Sequence, residues 1–224
     1  MTGSESDIAR TRRTRLEELL RAAPIIPVLT IEREADGVAL ARALVAGGLR
    51  ALEITLRTPA APAAAKAIGE GVPEAIVGIG TVLTPQDLEA ARGLGARFAV
   101  SPGATSDLLD AAAAGDLPFI PGVQTASELM AALARGLDVV KLFPAVPAGG
   151  IAALKALAGP FPQVRFCPTG GIGEDSFLDW LRLANVASVG GSWLAPAADI
   201  RAGNWPAITA RTRRAVDMAR QAGR

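Results

Sequence analysis

The sequence predicts an α/β fold: a single-domain (β/α)8 TIM barrel with an extra N-terminal helix. Three observations carry this. Short apolar runs alternate with Ala/Leu-rich helical stretches eight times over the 224 residues. Glycine follows several of the helical stretches, as a helix C-terminus prefers. Neither GxGxxG nor GxxxxGK[ST] follows the first strand, as it usually does in a doubly wound nucleotide-binding sheet. Strand followed by helix implies parallel strands with right-handed crossovers, and eight such units in a chain of this length fit a barrel.

Residues 1–23 form the first segment. Here "SDIARTRRTRLEELLRAA" reads as an amphipathic helix that could cap the barrel floor; its arginines, like those of "RTRRA" near the other end, read as a solvated helix face, with an RNA-binding arm as the alternative. The barrel domain is expected over 24–224. Its strands are "PIIPVLTI" (24–31), "ALEITLRT" (51–58), "AIVGIGTV" (75–82) and "ARFAVSPG" (96–103). "PFIPGV" (118–123), "VVKLFPA" (139–145), "VRFCPTGG" (164–171) and "VASVGGSW" (186–193) complete the set. Helices such as "DGVALARALVAGG", "PQDLEAARGLG" and "ASELMAALARG" lie between them, and "NWPAITARTRRAVDMARQAG" closes the chain.

Composition narrows the chemistry. There is no histidine, which excludes Ser-His-Asp triads, HExxH zinc sites and imidazole bases. Tyrosine is absent as well. The single cysteine, Cys167, excludes an internal disulfide and a multi-cysteine zinc cage, and reads as a small core residue in a reducing cytoplasm. A net charge of +1 gives no global pull toward nucleic acid or membrane, and no run is long enough to span a bilayer. Lysine occurs only at Lys66, Lys141 and Lys155. Lys66 and Lys155 fall in helical stretches. Lys141 alone interrupts a strand-like apolar run.

Alternation along strands sorts the candidates. In the second strand Leu52, Ile54 and Leu56 share the helix-facing side, which turns Glu53, Thr55 and Arg57 toward the barrel axis. In the sixth, Lys141 and Phe143 share a face opposite Val140 and Leu142. Thr81 falls at the end of the third strand, Thr169 shares the axis register with Cys167, and Ser188 shares one with Ser192. Each has a plain structural reading. Glu53 with Arg57, or Glu53 with Lys141, reads equally as an ion pair. Burying the latter pair carries a desolvation cost of several kcal/mol per ion.

Burial penalises an ammonium and favours the neutral amine, which attacks carbonyls to form a Schiff base. The resulting iminium is an electron sink for cleavage of a neighbouring carbon–carbon bond, without metal or cofactor. Glu53 is the only inward carboxylate available to move protons. Gly170-Gly171 and Gly190-Gly191 end the seventh and eighth strands, where barrels frequently bind phosphate. Together these imply a small phosphorylated keto compound as substrate, whose carboxylate would suit Arg57.

The motifs "EITLRT", "GIGTVLTP", "SPG", "PGVQTASELM", "KLFPA", "GPFPQVRFCPTGGI" and "VGGSW" resemble 2-dehydro-3-deoxy-phosphogluconate (KDPG) aldolase, also active as 4-hydroxy-2-oxoglutarate aldolase. They occur in order from about Pro24 to about Pro206. The resemblance implies that Lys141 forms the Schiff base and Glu53 is the general acid/base. It implies that Arg57 and Thr81 bind the pyruvyl part, that Pro102 and Phe143 line the pocket, and that Thr169 contacts substrate. Gly170, Gly171, Gly191 and Ser192 would hold the phosphate. It further implies no metal, a homotrimer, and cleavage of 2-keto-3-deoxy-6-phosphogluconate to pyruvate and glyceraldehyde 3-phosphate. The galactonate epimer's aldolase, a metal-dependent aldolase and a non-catalytic sugar-phosphate binder are the alternatives. The last would predict loss of Lys141 or Glu53.

Overall fold

In the computed structural model, the backbone is described for residues 3–224 and side chains from residue 7 onward. The chain forms one α/β domain of parallel strands and surrounding helices. In order, the elements are α1 (Gly3–Ala22), β1 (Ile25–Leu29), α2 (Asp36–Ala46), β2 (Ala51–Thr55), α3 (Ala61–Gly71), β3 (Ile76–Gly80), α4 (Pro85–Gly93) and β4 (Phe98–Val100). Then come α5 (Ser106–Ala114), β5 (Phe119–Ile120), β6 (Gly122–Val123), α6 (Ala126–Leu133), β7 (Val139–Leu142) and α7 (Gly150–Ala158). β8 (Arg165–Phe166), α8 (Phe177–Leu181), β9 (Val189–Gly191), α9 (Ala197–Arg201) and α10 (Trp205–Gln221) complete the chain.

Every strand pairing is parallel. One sheet runs β5-β4-β3-β2-β1-β9, so the last strand returns to pair with the first, and a second runs β6-β7-β8. Hydrogen bonds join the two. Ala187 N–H donates to Phe166 O at 2.9 Å, and Gly190 N–H donates to Pro168 O at 2.9 Å. Lys141 N–H reaches Pro121 O at 2.8 Å.

The strands are shorter than the apolar runs suggest. Apolarity marks burial, whereas a strand lasts only as long as its ladder of hydrogen bonds. Proline has no N–H to donate, and Pro121 splits the fifth strand into β5 and β6. Arg57, Thr81 and Ser192 therefore lie in turns beyond the strands expected to carry them. Two helices start with capping boxes, Thr84 with Asp87 on α4 and Thr125 with Glu128 on α6. Each satisfies two orphan N–H groups and sets where the helix leaves its strand. Lys66 and Lys155 are exposed on α3 and α7.

Alternation divides the interior into two cores. Leu52, Ile54, Val140, Leu142 and Val189 face the helices, in one cluster with Leu40, Leu44 and Phe166. The opposite face contributes Ile26, Phe98, Val100, Ile120, Val139, Cys167 and Ala187 to a second cluster, which Leu16, Leu19 and Leu20 of α1 join. Each of these leucines contributes about 1.5–3 kcal/mol on burial.

One basic residue of the N-terminal segment departs from the solvated face expected of it. Arg12 is 5% exposed. Its Nη1 donates to the carbonyls of Ala112 (2.8 Å), Ala113 (2.7 Å) and Gly115 (2.9 Å), at the end of α5. These are carbonyls that a helix C-terminus leaves unsatisfied, and a cation there also suits the helix dipole. Burial lowers the guanidinium's proton affinity from its ordinary value, yet such a group stays charged near neutral pH. Arg12→Ala is expected to lower stability by about 1–3 kcal/mol, read from the urea midpoint at unchanged slope. Activity per folded molecule should be retained.

Candidate active site

The site begins with a contact between distant strands. Lys141 on β7 and Glu53 on β2 are separated on one side by β3, β4 and the β5/β6 segments, and on the other by β8, β9 and β1. Their side chains nevertheless meet: Lys141 Nζ donates to Glu53 Oε1 at 3.0 Å. Both side chains are 4% exposed. Nζ also stands 5.2 Å from the centroid of the Phe143 ring, within cation–π range. The amine therefore has one carboxylate and one aromatic face as neighbours, and little exposure to solvent. Removing either partner would leave a buried charge without compensation.

Other expected residues occupy the strand ends. Thr81 directly follows β3 with φ 61°. This left-handed conformation is an outlier for a β-branched residue and costs about 1–3 kcal/mol. Pro102 and Phe143 are partly exposed just beyond β4 and β7. Thr169 is buried and bridges to Gly190 of β9. Gly170 and Gly171 follow with φ 101° and 82°, a backbone shape that suits glycine. The N–H groups of Gly170, Gly171 and Ser192 find no acceptor among the described residues, and Ser192 is exposed.

Arg57 departs from the alternation argument. β2 ends at Thr55, and Arg57 sits exposed in the following turn, its N–H donating to Thr55 O at 2.8 Å. Its guanidinium has no ion-pair or hydrogen-bond partner among the described residues. Thr55 is fully buried, donating to Leu29 O at 2.9 Å, with Thr30 Oγ1 3.3 Å away. Thr30 and Thr58, which ties back to Ile31 O, went unnoticed in the sequence because a strand-end hydroxyl carries no pattern of its own. Ser188 also serves structure, donating to Ala23 O at 2.7 Å.

The sequence profile of KDPG and KHG aldolase matches residues 16–211. The chain belongs to this family. The KHG/KDPG aldolase of Escherichia coli (strain K12) is 50% identical over 208 residues, covering 93% of this chain and 98% of that protein. The KDPG aldolase of Legionella pneumophila, solved with pyruvate captured as a covalent carbinolamine intermediate, superposes with a TM-score of 0.87 at 46% identity. That match covers 89% of this chain and 97% of the other. The Zymomonas mobilis ZM4 enzyme, solved with 3-phosphoglycerate, gives 0.84 at 47% identity over 89% and 94% of the two chains. Family membership agrees with a site built around a buried amine.

Among the described residues, no three His, Cys, Asp or Glu side chains are grouped to hold a metal ion, and no helix is long and apolar enough to cross a membrane. Cys167 is buried. Burial pushes its thiol up to about 12, against the opposing pull of Arg165 and Lys141. With its folded value raised, thiolate stays scarce through neutral pH. Iodoacetamide labelling of the native protein at pH 8 is expected to be at least about 100-fold slower than in urea, as read by mass spectrometry. Rapid native labelling would contradict this burial.

Proposed function

We propose that this aldolase cleaves 2-keto-3-deoxy-6-phosphogluconate to pyruvate and glyceraldehyde 3-phosphate through an imine at Lys141, and cleaves 4-hydroxy-2-oxoglutarate to pyruvate and glyoxylate by the same route. The observation that carries this reading is the buried Nζ at 3.0 Å from Glu53 Oε1. The carbinolamine in the Legionella relative supports it.

The chemistry follows from the pair. Glu53 accepts a proton from the Lys141 ammonium, and the freed amine adds to the C2 carbonyl. Glu53 returns a proton to the departing hydroxyl, water leaves, and an iminium remains. Glu53, again a carboxylate, takes the C4 hydroxyl proton, the C3–C4 bond breaks, and its electrons flow to the iminium nitrogen. Glyceraldehyde 3-phosphate departs and an enamine stays on Lys141. Glu53 protonates the enamine carbon, and water hydrolyses the iminium to pyruvate and free lysine. Lysine is the sole electron sink in this scheme, so no metal or cofactor takes part.

In this reading Arg57 and Thr81 receive the pyruvyl carboxylate, Pro102 and Phe143 line the pocket, and Thr169 contacts substrate. Gly170, Gly171, Gly191 and Ser192 hold the phosphate. The unpartnered N–H groups at 170, 171 and 192 support an anion there. Taking β5 and β6 as one strand broken at Pro121, we read the fold as a closed (β/α)8 barrel spanning 24–224, with residues 1–23 as its cap. The β9–β1 ladder and the β8–β9 bridges favour closure. A homotrimer in the cytoplasm, with no nucleic-acid or membrane partner, completes the proposal.

Borohydride reduction in the presence of pyruvate should add the pyruvyl group to the tryptic peptide containing Lys141. An unmodified peptide at confirmed occupancy refutes the imine. Lys141→Arg should lose both trapping and turnover, because a guanidinium stays protonated. Pyruvate release from a panel of keto-deoxy acids, in both C4 configurations, tests the substrate assignment. Ser192→Ala should raise KM about 10-fold for phosphorylated substrates, the scale of one charged hydrogen bond. Equal effects on unphosphorylated 4-hydroxy-2-oxoglutarate would remove Ser192 from the phosphate site.

A further inference from the structure

We propose that Gly80 is a positioning residue for Glu53, and that its missing side chain is the space in which the carboxyl group lies. Gly80 is the last residue of β3 and pairs with Thr55 on neighbouring β2. Glu53, two residues before Thr55, pairs with Gly78. Its side chain leans along the strand toward the C-terminal ends and lies over Gly80. A Cβ built on Gly80 would stand 2.3 Å from Glu53 Oε1, 2.7 Å from Cγ and 2.8 Å from Cδ. Real carbon–oxygen contacts do not come that close, so any side chain at 80 must evict the outer half of Glu53. The evicted atom Oε1 is the one that accepts from Lys141 Nζ.

Backbone freedom does not explain this glycine. Positive φ is recorded at nine other glycines and at the adjacent Thr81, but not at Gly80. An alanine would fit its backbone, and only the occupied space excludes it. The conflict is with the end of a flexible side chain, so the fold can yield while the carboxylate moves. Gly80→Ala is thus a displacement of Glu53 by about the width of a methyl group. A shift on that scale at a reacting group is enough to slow catalysis about 100-fold.

The proposal rests on the reading of Glu53 as the proton-transfer group, and the test separates the two. Exchange of pyruvate methyl protons in D2O, followed by NMR, reports enamine formation and protonation. Borohydride trapping of pyruvate reports formation of the adduct at Lys141. Glu53→Gln is expected to lower exchange about 100-fold while trapping persists on prolonged incubation. Gly80→Ala should do the same to a lesser degree, by at least about 10-fold. The double variant should be no slower than Glu53→Gln alone, since both changes act on one group. Gly93→Ala, where a Cβ meets nothing within 4 Å, is the control expected to change nothing.

If Glu53→Gln exchanges normally, the role of Glu53 is wrong. If Glu53→Gln is slow but Gly80→Ala exchanges at the wild-type rate, or the double variant multiplies the two losses, the positioning role is wrong. Should Gly80→Ala alone fail to fold, adding Glu53→Ala vacates the contested space and should restore the melting temperature. Failure of that rescue also overturns the assignment.

Discussion

The contact between Lys141 and Glu53 is the constraint to which the rest of the site answers. It brings together opposite charges from well-separated strands and removes both from water. Such a pair is a poor route to stability, because the attraction only partly offsets several kcal/mol of desolvation per ion. On the proposed reading its usefulness is chemical. In the proposed mechanism the carboxylate is the near neighbour that takes a proton from the ammonium, and both side chains are only 4% exposed. The same proximity would serve the later steps of that mechanism, since a proton held by the carboxylate can be delivered to a departing hydroxyl or to carbon.

Holding the pair requires both faces of the strands. Leu52 and Ile54 anchor β2 against the helices, and Val140 and Leu142 anchor β7. A slip of one residue in either strand would turn its charge outward, which the outer core resists. Beneath the pair, the inward residues of several strands close over the leucines of α1. Arg12 holds that helix against the end of α5. The floor is thus apolar and buried, and the strand ends beyond the pair carry the partly exposed Thr81, Pro102, Phe143 and Gly170. On the proposed reading one end of the domain serves stability and the other chemistry, the usual division of labour in parallel strand–helix repeats.

Several features were legible from residue pattern because they are local. The strand–helix beat, the inward side of Lys141 and Glu53, the burial of Cys167 and the exposure of Lys66 and Lys155 need only alternation and helical periodicity. The glycine pair at 170–171 takes consecutive positive φ values, which call for that residue type. Strand ends were not legible. Ladder hydrogen bonds depend on the neighbouring strand, so the runs ending at 58, 82 and 193 overreached, and Arg57 was assigned to a strand that stops at Thr55.

The sequence by itself determined the α/β class, the absence of imidazole chemistry and the one lysine that interrupts a strand, because composition and period are properties of the chain alone. Tertiary structure decided which groups meet. That Nζ of residue 141 lies 3.0 Å from a carboxylate 88 positions earlier, that an arginine in a basic segment is buried under a helix end, and that a glycine leaves room for a glutamate are all contacts between distant parts of the chain. No local rule encodes them, because distance along the backbone says nothing about distance in space until the strands have curled.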